Sequence, residues 1–354
     1  MTTGYRVARK GWGSWWLLPV ALTVCSVGWA QSETASRGDA SATMKSLQHS
    51  VDSGHPDDAL RKIAELRAAH TEMPGLDRIE GLADYAKSDL RAADAAFAVA
   101  LKSDPKDAEA AEMRGLVLFR LGRPADAIPL LQGASKQGAL GKADPNYILA
   151  LCYMDTRRYD DARGAFAAQY GFAPESAAAY LVSARLLLRR EYLPVAQGFA
   201  TKALEIDPAL PLAHELLGEI ALAGNHLDEA IAELEKEKAR NPLEPSVYDR
   251  LGDAYGRAAK YDEAQRNLQR AILLEPNSTG PYILLGKTML KKGDAVAAAT
   301  YLEHANQLDP ANFMTHSLMG QAYRAMGRSE DASRETATAQ KIQAASEPKI
   351  ETMH

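Results

Sequence analysis

One apolar pattern recurs along most of the chain. Tyr248, Leu251, Gly252 and Tyr255 are followed by Ala264, Leu268, Ala271 and Pro276. One period later the same places hold Tyr282, Leu285, Gly286, Met289, Ala298, Leu302, Ala305 and Pro310. Residues three and four apart share one face of a helix, so each period predicts two amphipathic helices, A and B, joined by a turn. Proline sets the period: Pro174, Pro208, Pro242, Pro276 and Pro310 are each 34 residues apart (208 − 174 and so on). A proline cannot continue helix B and so ends the unit. Large apolar residues form the seam between the helices, and the Gly and Ala positions let two backbones approach closely.

These positions resemble the tetratricopeptide repeat. The resemblance implies an all-α fold, a right-handed α-solenoid superhelix of helix-turn-helix repeats that grows by addition instead of around one core. Abundant Ala, Leu, Glu, Lys and Arg favour helix as well. Position 1 of successive repeats falls at Pro74, Ala108, Ala143, Ala177, Pro211, Pro245, Thr279 and Phe313, giving eight repeats over residues 74–343 in one elongated domain. A polar closing helix at 329–343 caps them. Upstream, residues 44–73 resemble a degenerate ninth repeat or an N-terminal cap, with Ala59, Ile63 and Leu66 on its apolar side.

Some units depart from the pattern. Glu237 and Gln169 replace the small residue near the end of helix B, and Ser183 replaces a large one on helix A. Pro105 and Pro174 are 69 residues apart instead of 68, with Gly133, Gly138 and Gly141 in the joint before Pro145. The extra residue and three glycines predict a shortened helix B, a looser contact and flexing at 133–145.

The chain ends are of another kind. Arg6, Arg9 and Lys10 precede an apolar run at 15–30 with Gly28 and Ala30 at its exit, as in a secretory signal peptide cut after Ala30. Retention as a membrane anchor, or lipidation at Cys25, is the alternative. Residues 31–43 are expected to be a disordered linker and 344–354 a disordered tail. Loss of 1–30 removes three cations and no acid, leaving 38 basic against 46 acidic residues and a net charge of −8. That balance argues against nucleic acid or an anionic membrane as partner. Only Cys152 then remains of the two cysteines, so no intrachain disulfide is expected.

No catalytic constellation emerges. The eight histidines include no i, i+4 pair, and the chain carries no phosphate-binding Gly-x-x-x-x-Gly-Lys loop and no Gly-x-Ser-x-Gly elbow. Asp228-Glu229 and Asp262-Glu263 open B helices, where acids complement the helix dipole. Cys152 occupies a repeat position held elsewhere by small or apolar residues, which predicts a packing role. Neither enzymatic activity nor a cofactor, metal or small-molecule substrate is expected.

In tetratricopeptide arrays helix A lines the concave face, and the resemblance places repeat positions 2, 5, 9, 12 and 13 there. In this chain they give Arg78, Leu82, Tyr85, Leu116, Phe119, Arg120, Tyr147, Leu151, Met154, Arg185 and Arg189, an apolar stretch set with arginines. Glu215, Glu219, Asp249 and Asp253 follow, and then Lys287 and Lys291. No repeat pairs Lys with Asn at positions 5 and 9, which disfavours a chaperone-tail clamp. The expected function is a non-catalytic, exported scaffold that binds a protein or peptide on this face, in bacterial envelope assembly or secretion. An accessory, substrate-recruiting subunit of a separate envelope enzyme is the alternative. Localisation is expected to be periplasmic or envelope-associated, with membrane contact only through an uncleaved N-terminal segment.

Overall fold

The computed structural model describes residues 27–71, 73–137 and 144–346. Among them are eighteen α-helices and no strand. The chain divides into two compact units at Gly122/Arg123, where one domain was expected.

The first unit holds α1 (Val27–Asp52), α2 (Pro56–Ala68), α3 (Leu76–Ala86), α4 (Leu90–Ser103) and α5 (Ala108–Arg120). The second begins with α6 (Pro124–Gln137), α7 (Pro145–Asp155), α8 (Tyr159–Tyr170), α9 (Ala177–Arg189), α10 (Leu193–Ile206), α11 (Ala213–Ala223) and α12 (Leu227–Arg240). It continues through α13 (Pro245–Arg257), α14 (Tyr261–Leu274), α15 (Thr279–Lys292), α16 (Ala295–Leu308), α17 (Phe313–Ala325) and α18 (Ser329–Ser346). Odd-numbered helices from α3 onward are the A helices. Within the units, α3, α7, α9, α11, α13, α15 and α17 each pack on the B helix that follows.

The glycine of helix A is the point of closest approach within a pair. A Cβ built at Gly81 would lie 2.7 Å from the Phe97 ring, and one at Gly218 or Gly286 would lie 2.5 Å from Leu234 or Leu302. Gly252 meets Leu268 and Gly320 meets Thr336 in the same way. The opposing residue always comes sixteen places later (97 − 81, 234 − 218, 268 − 252, 302 − 286, 336 − 320). Two repeats use alanine there instead, Ala150 and Ala184, both fully buried. Opposite Ala184, the sixteenth residue on is the small Ala200, also fully buried, so room lost on one helix is restored on the other.

The A–B turns carry a constraint that residue type alone hides. Ser88, Gly122, Arg157, Glu191, Asn225, Ala259, Gly293 and Gly327 all have φ between 60° and 78° except Gly293, at 84°. One left-handed residue thus recurs at each turn. Glycine takes this conformation freely, whereas a residue with a Cβ is held there at a cost of roughly 1–2 kcal/mol. Replacing Ala259 with Gly is therefore expected to stabilise the chain by about 0.5–1 kcal/mol after the added unfolded-state entropy of glycine. A raised urea midpoint checks this, and Gly293→Ala is expected to lower it.

Contacts between repeats also keep register. Tyr255 donates its hydroxyl to Glu235 at 3.0 Å and Tyr323 donates to Glu303 at 2.8 Å, each linking an A helix to the B helix before it. Both pairs are 20 residues apart. At the joint with the extra residue, Gln132 and Tyr153 make the equivalent contact at 2.6 Å across 21 residues. Ser135 adds a hydrogen bond to Asn146 at 2.5 Å.

The expected shortening of helix B is thereby corrected, while residues 138–143 of the segment expected to flex lie outside the described residues. α6 has 14 residues, like α4, and packs on α7. Gly133 is helical and has open space where its Cβ would stand. A single glycine costs a helix only about 1 kcal/mol, too little to break this one. Gly138 and Gly141 lie outside the described residues.

The N-terminal expectations change too. Residues 1–26 of the expected leader lie outside the described residues, as do 347–354 of the expected tail. Residues 31–43, expected as a linker, lie inside α1. The segment holds no proline, and its helix continues into an anchored face where Met44, Leu47 and Val51 pack with Ala59, Ile63, Leu76 and Ile79. Thus α1 stands to α2 as an A helix does to its B helix. Among the described residues, no helix is long and apolar enough to cross a membrane.

Departures inside the repeats turn out to be tied down. Glu237 is fully buried and accepts from the Leu212 amide at 3.2 Å, serving the start of α11. Ser183 returns its hydroxyl to the Ala179 carbonyl at 2.8 Å. Cys152 is fully buried, and burial pushes its thiol up to about 12. It is a packing residue, not a nucleophile at neutral pH.

Candidate functional site

Successive A helices pack directly on one another: α3 on α5 in the first unit, and α9 on α11, α11 on α13, α13 on α15 and α15 on α17 in the second. Within a curved stack the side where consecutive helices meet is the inner one, so the A helices supply the concave surface of each unit.

In the first unit, Leu82 and Tyr85 of α3 pack partly against the cluster of Phe97, Ala110 and Val117 and keep part of their surface outside. The exposed Arg120 guanidinium lies 5.1 Å above the Tyr85 ring, and Leu116 and Phe119 on α5 are half-buried. A ring with an arginine stacked on it is a flat platform with both apolar and cationic character. Arg78 is not free for a partner. It pairs with Glu109 and lies 3.7 Å from Asp107, both next to the start of α5.

In the second unit two expected face residues prove to be core. Met154 is 1% exposed and Leu151 9%. α7 is held between α6 and α8, so nearly its whole circumference is covered. Tyr147 leans on Phe166 with ring centroids 6.0 Å apart, which makes it part of that packing and a poor anchor.

The acidic stretch is largely consumed within the fold. Glu215 is buried; Arg250 reaches it at 2.8 Å and Ser246 donates to it at 2.8 Å. Arg250 also pairs with Glu219, and Arg185 stands 3.8 Å from that same carboxylate. Asp253 lies 3.6 Å from Arg257. Burial pushes the Glu215 carboxyl above its usual range, with Arg250 and Ser246 opposing.

Asp249 is the exception. Its Oδ1 is buried with no hydrogen-bond partner, and the backbone of Gly280 is close enough that a Cβ there would lie 3.7 Å from Oδ2. Burial raises its carboxyl to about 6 against the help of Arg250. A raised pKa means that the folded state pays for the charge, so stability is lost as pH rises from about 4 to 6 and is restored below. Asp249→Asn is expected to stabilise the chain by about 1–2 kcal/mol at pH 7, with no gain at pH 3.5. Chemical denaturation at the two pH values checks it.

After this accounting, the cations remain. Arg189, Lys287 and Lys291 are exposed and make no ion pair or hydrogen bond within the described residues. The sequence did not reveal Arg250 as the partner of the acids. Its signal was a basic residue one repeat beyond Glu215, visible only once successive A helices are set side by side. Among the described residues no group of His, Cys, Asp and Glu is arranged to hold a metal.

The family model described as "Tetratricopeptide repeat" matches residues 80–147 and 250–313. Comparison with curated proteins gives no match. Among solved structures, a crystal structure of MamA is 22% identical, covering 46% of this chain and 95% of that one, with a TM-score of 0.43. The segment "MamA 41-end" from Desulfovibrio magneticus RS-1 is 16% identical over 48% of this chain and 97% of that one, TM-score 0.45. YrrB, described as "a TPR protein with an unusual peptide-binding site", is 24% identical over 49% and 89%, TM-score 0.42. With the repeat matched at two stretches and one glycine-to-apolar seam repeated at constant spacing along helices in series, the chain carries tetratricopeptide repeats at residues 80–147 and 250–313 within an all-α array.

Proposed function

We propose that this chain is a non-catalytic scaffold whose A-helix surface binds a segment of another protein, and that it works in the bacterial envelope after export. The observation that carries the reading is the state of that surface. Its acids Glu215, Glu219 and Asp253 are paired internally, whereas the Tyr85–Arg120 platform, the half-buried Leu82, Leu116 and Phe119, and the cations Arg189, Lys287 and Lys291 are left presented. Aromatic rings and arginines carry most of the energy at protein interfaces, with charges setting register and orientation. Export rests on Arg6, Arg9 and Lys10 ahead of the apolar run at 15–30.

The test is capture of crosslinked partners from cells producing the tagged full chain, beside a Tyr85→Ala/Phe119→Ala variant. A partner lost in the variant, with helical circular dichroism unchanged, supports the reading. Partners retained equally by the variant contradict it. The mass of the envelope-localised chain tests export: loss of residues 1–30 is expected, and a chain confined to the cytoplasm at full length contradicts it.

A further inference from the structure

Between α13, α14 and α15 lies a cleft of about 240 Å³ lined by Gly252, Asp253, Gly256, Arg257, Tyr261, Leu284, Lys287, Thr288 and Lys291. Glycine keeps its floor low: a Cβ at Gly256 would meet Thr288 Oγ1 only at 3.8 Å, so the helix backbone is approachable there. Leu284 and Tyr261 supply apolar lining.

The charges of the cleft fall into two groups. Arg257 is used by the fold. It lies 3.6 Å from Asp253 and donates to the Leu222 carbonyl at 3.1 Å and to Asn225 Oδ1 at 2.6 Å. Thr288 returns its hydroxyl to Leu284 O at 2.8 Å. Lys292, just beyond the cleft, is likewise bound, to Asp262 at 2.6 Å and Gln265 at 2.8 Å. Lys287 and Lys291 alone are unspent: both are exposed, and neither has an ion pair or hydrogen bond within the described residues. They stand one turn apart on α15, where like charges repel by a few tenths of a kcal/mol, a penalty that an anion between them removes.

We infer that this cleft is a subsite for an Asp or Glu side chain of a bound protein segment, with an apolar neighbour of that residue seated against Leu284 and Tyr261. The inference rests on the reading of the A-helix surface as a protein-binding face. Its volume is below the range of sites that enclose a cofactor or drug-sized molecule and suits one or two side chains. The cations left free are ammonium groups, which act as point charges, while the one guanidinium in the cleft is already engaged and offers no free fork for a phosphate.

The experiment is selection of random twelve-residue displayed peptides on the full chain and on a Lys287→Gln/Lys291→Gln variant. Affinities of the enriched peptides are then measured. Both substitutions are on exposed side chains, and unchanged circular dichroism confirms folding. The subsite predicts peptides enriched in Asp or Glu beside an apolar residue, binding the variant at least tenfold more weakly and weakening with salt. Peptides without acidic bias, or equal binding to both chains, overturn the subsite while leaving the peptide-binding face intact. Failure to enrich any peptide overturns both. A phosphoserine peptide binding more than tenfold tighter than its glutamate twin replaces the carboxylate assignment with phosphate.

Discussion

Replacing Arg250 with alanine is expected to cost about 3 kcal/mol, the low end of what stranding a buried charge costs. The partner left behind is Glu215, whose side chain is only 5% exposed. Ser246 still donates to it, and Arg250 is itself 28% exposed, which keeps the loss near the lower bound. The pH dependence follows from sign. Burial already raises the Glu215 carboxyl, and Arg250 is the largest influence holding it down. Without Arg250 the folded-state pKa climbs further above the unfolded value of about 4.3. The variant therefore suffers most above that folded pKa and recovers as pH falls toward 4, where the carboxyl is neutral in the folded state and mostly so in the unfolded. Urea denaturation at pH 7.5 and pH 4 checks the direction. Hydrogen exchange is expected to show the loss concentrated in α11 and α13, because neighbours in a repeat array are coupled most strongly.

The second large effect is steric. Gly252→Leu drives a branched side chain into Leu268, where even a lone Cβ at Gly252 is too close for the present seam. Both helices are fixed by further repeats, so relief requires α13 and α14 to separate. Overpacking of this kind typically costs about 1–3 kcal/mol. Gly133→Leu serves as the contrast, since nothing stands within 4 Å of its Cβ position. A fall in melting temperature for Gly252→Leu that far exceeds that for Gly133→Leu supports the seam; equal falls contradict it.

How much of this was legible in the sequence depended on what repeats. The seam was legible because Gly252, Leu268 and their counterparts recur with the period, and a period reports packing that every unit shares. The proline at each boundary was legible for the same reason. The A–B turn was hidden: the left-handed residue is Ser, Gly, Arg, Glu, Asn, Ala, Gly and Gly in turn, because the turn fixes a backbone angle and leaves the side chain in solvent. The shortened helix B expected before Pro145 did not form because Gly133 alone costs too little to break α6, and the Gln132–Tyr153 contact ties α6 to α7.

At the candidate site, periodicity located the A-helix surface but not its electrostatics. Glu215 and Glu219 occupy face positions, yet their charges are answered by Arg250 one repeat on, a relation between repeats that position within a repeat does not express. Met154 failed for a local reason: α7 is covered on two sides, so a family position became core. Lys287 and Lys291 gained meaning only when the ion pairs around them had been assigned.

The central claim is that the A-helix surface, and not the B-helix surface, meets the partner. A photo-reactive amino acid placed at Gln321 or Arg189 on A helices, and at Ala239 or Gln269 on exposed sites of B helices, tests it in living cells. The account predicts adducts to another protein from Gln321 or Arg189 and none from Ala239 or Gln269. Adducts confined to Ala239 or Gln269 would contradict it.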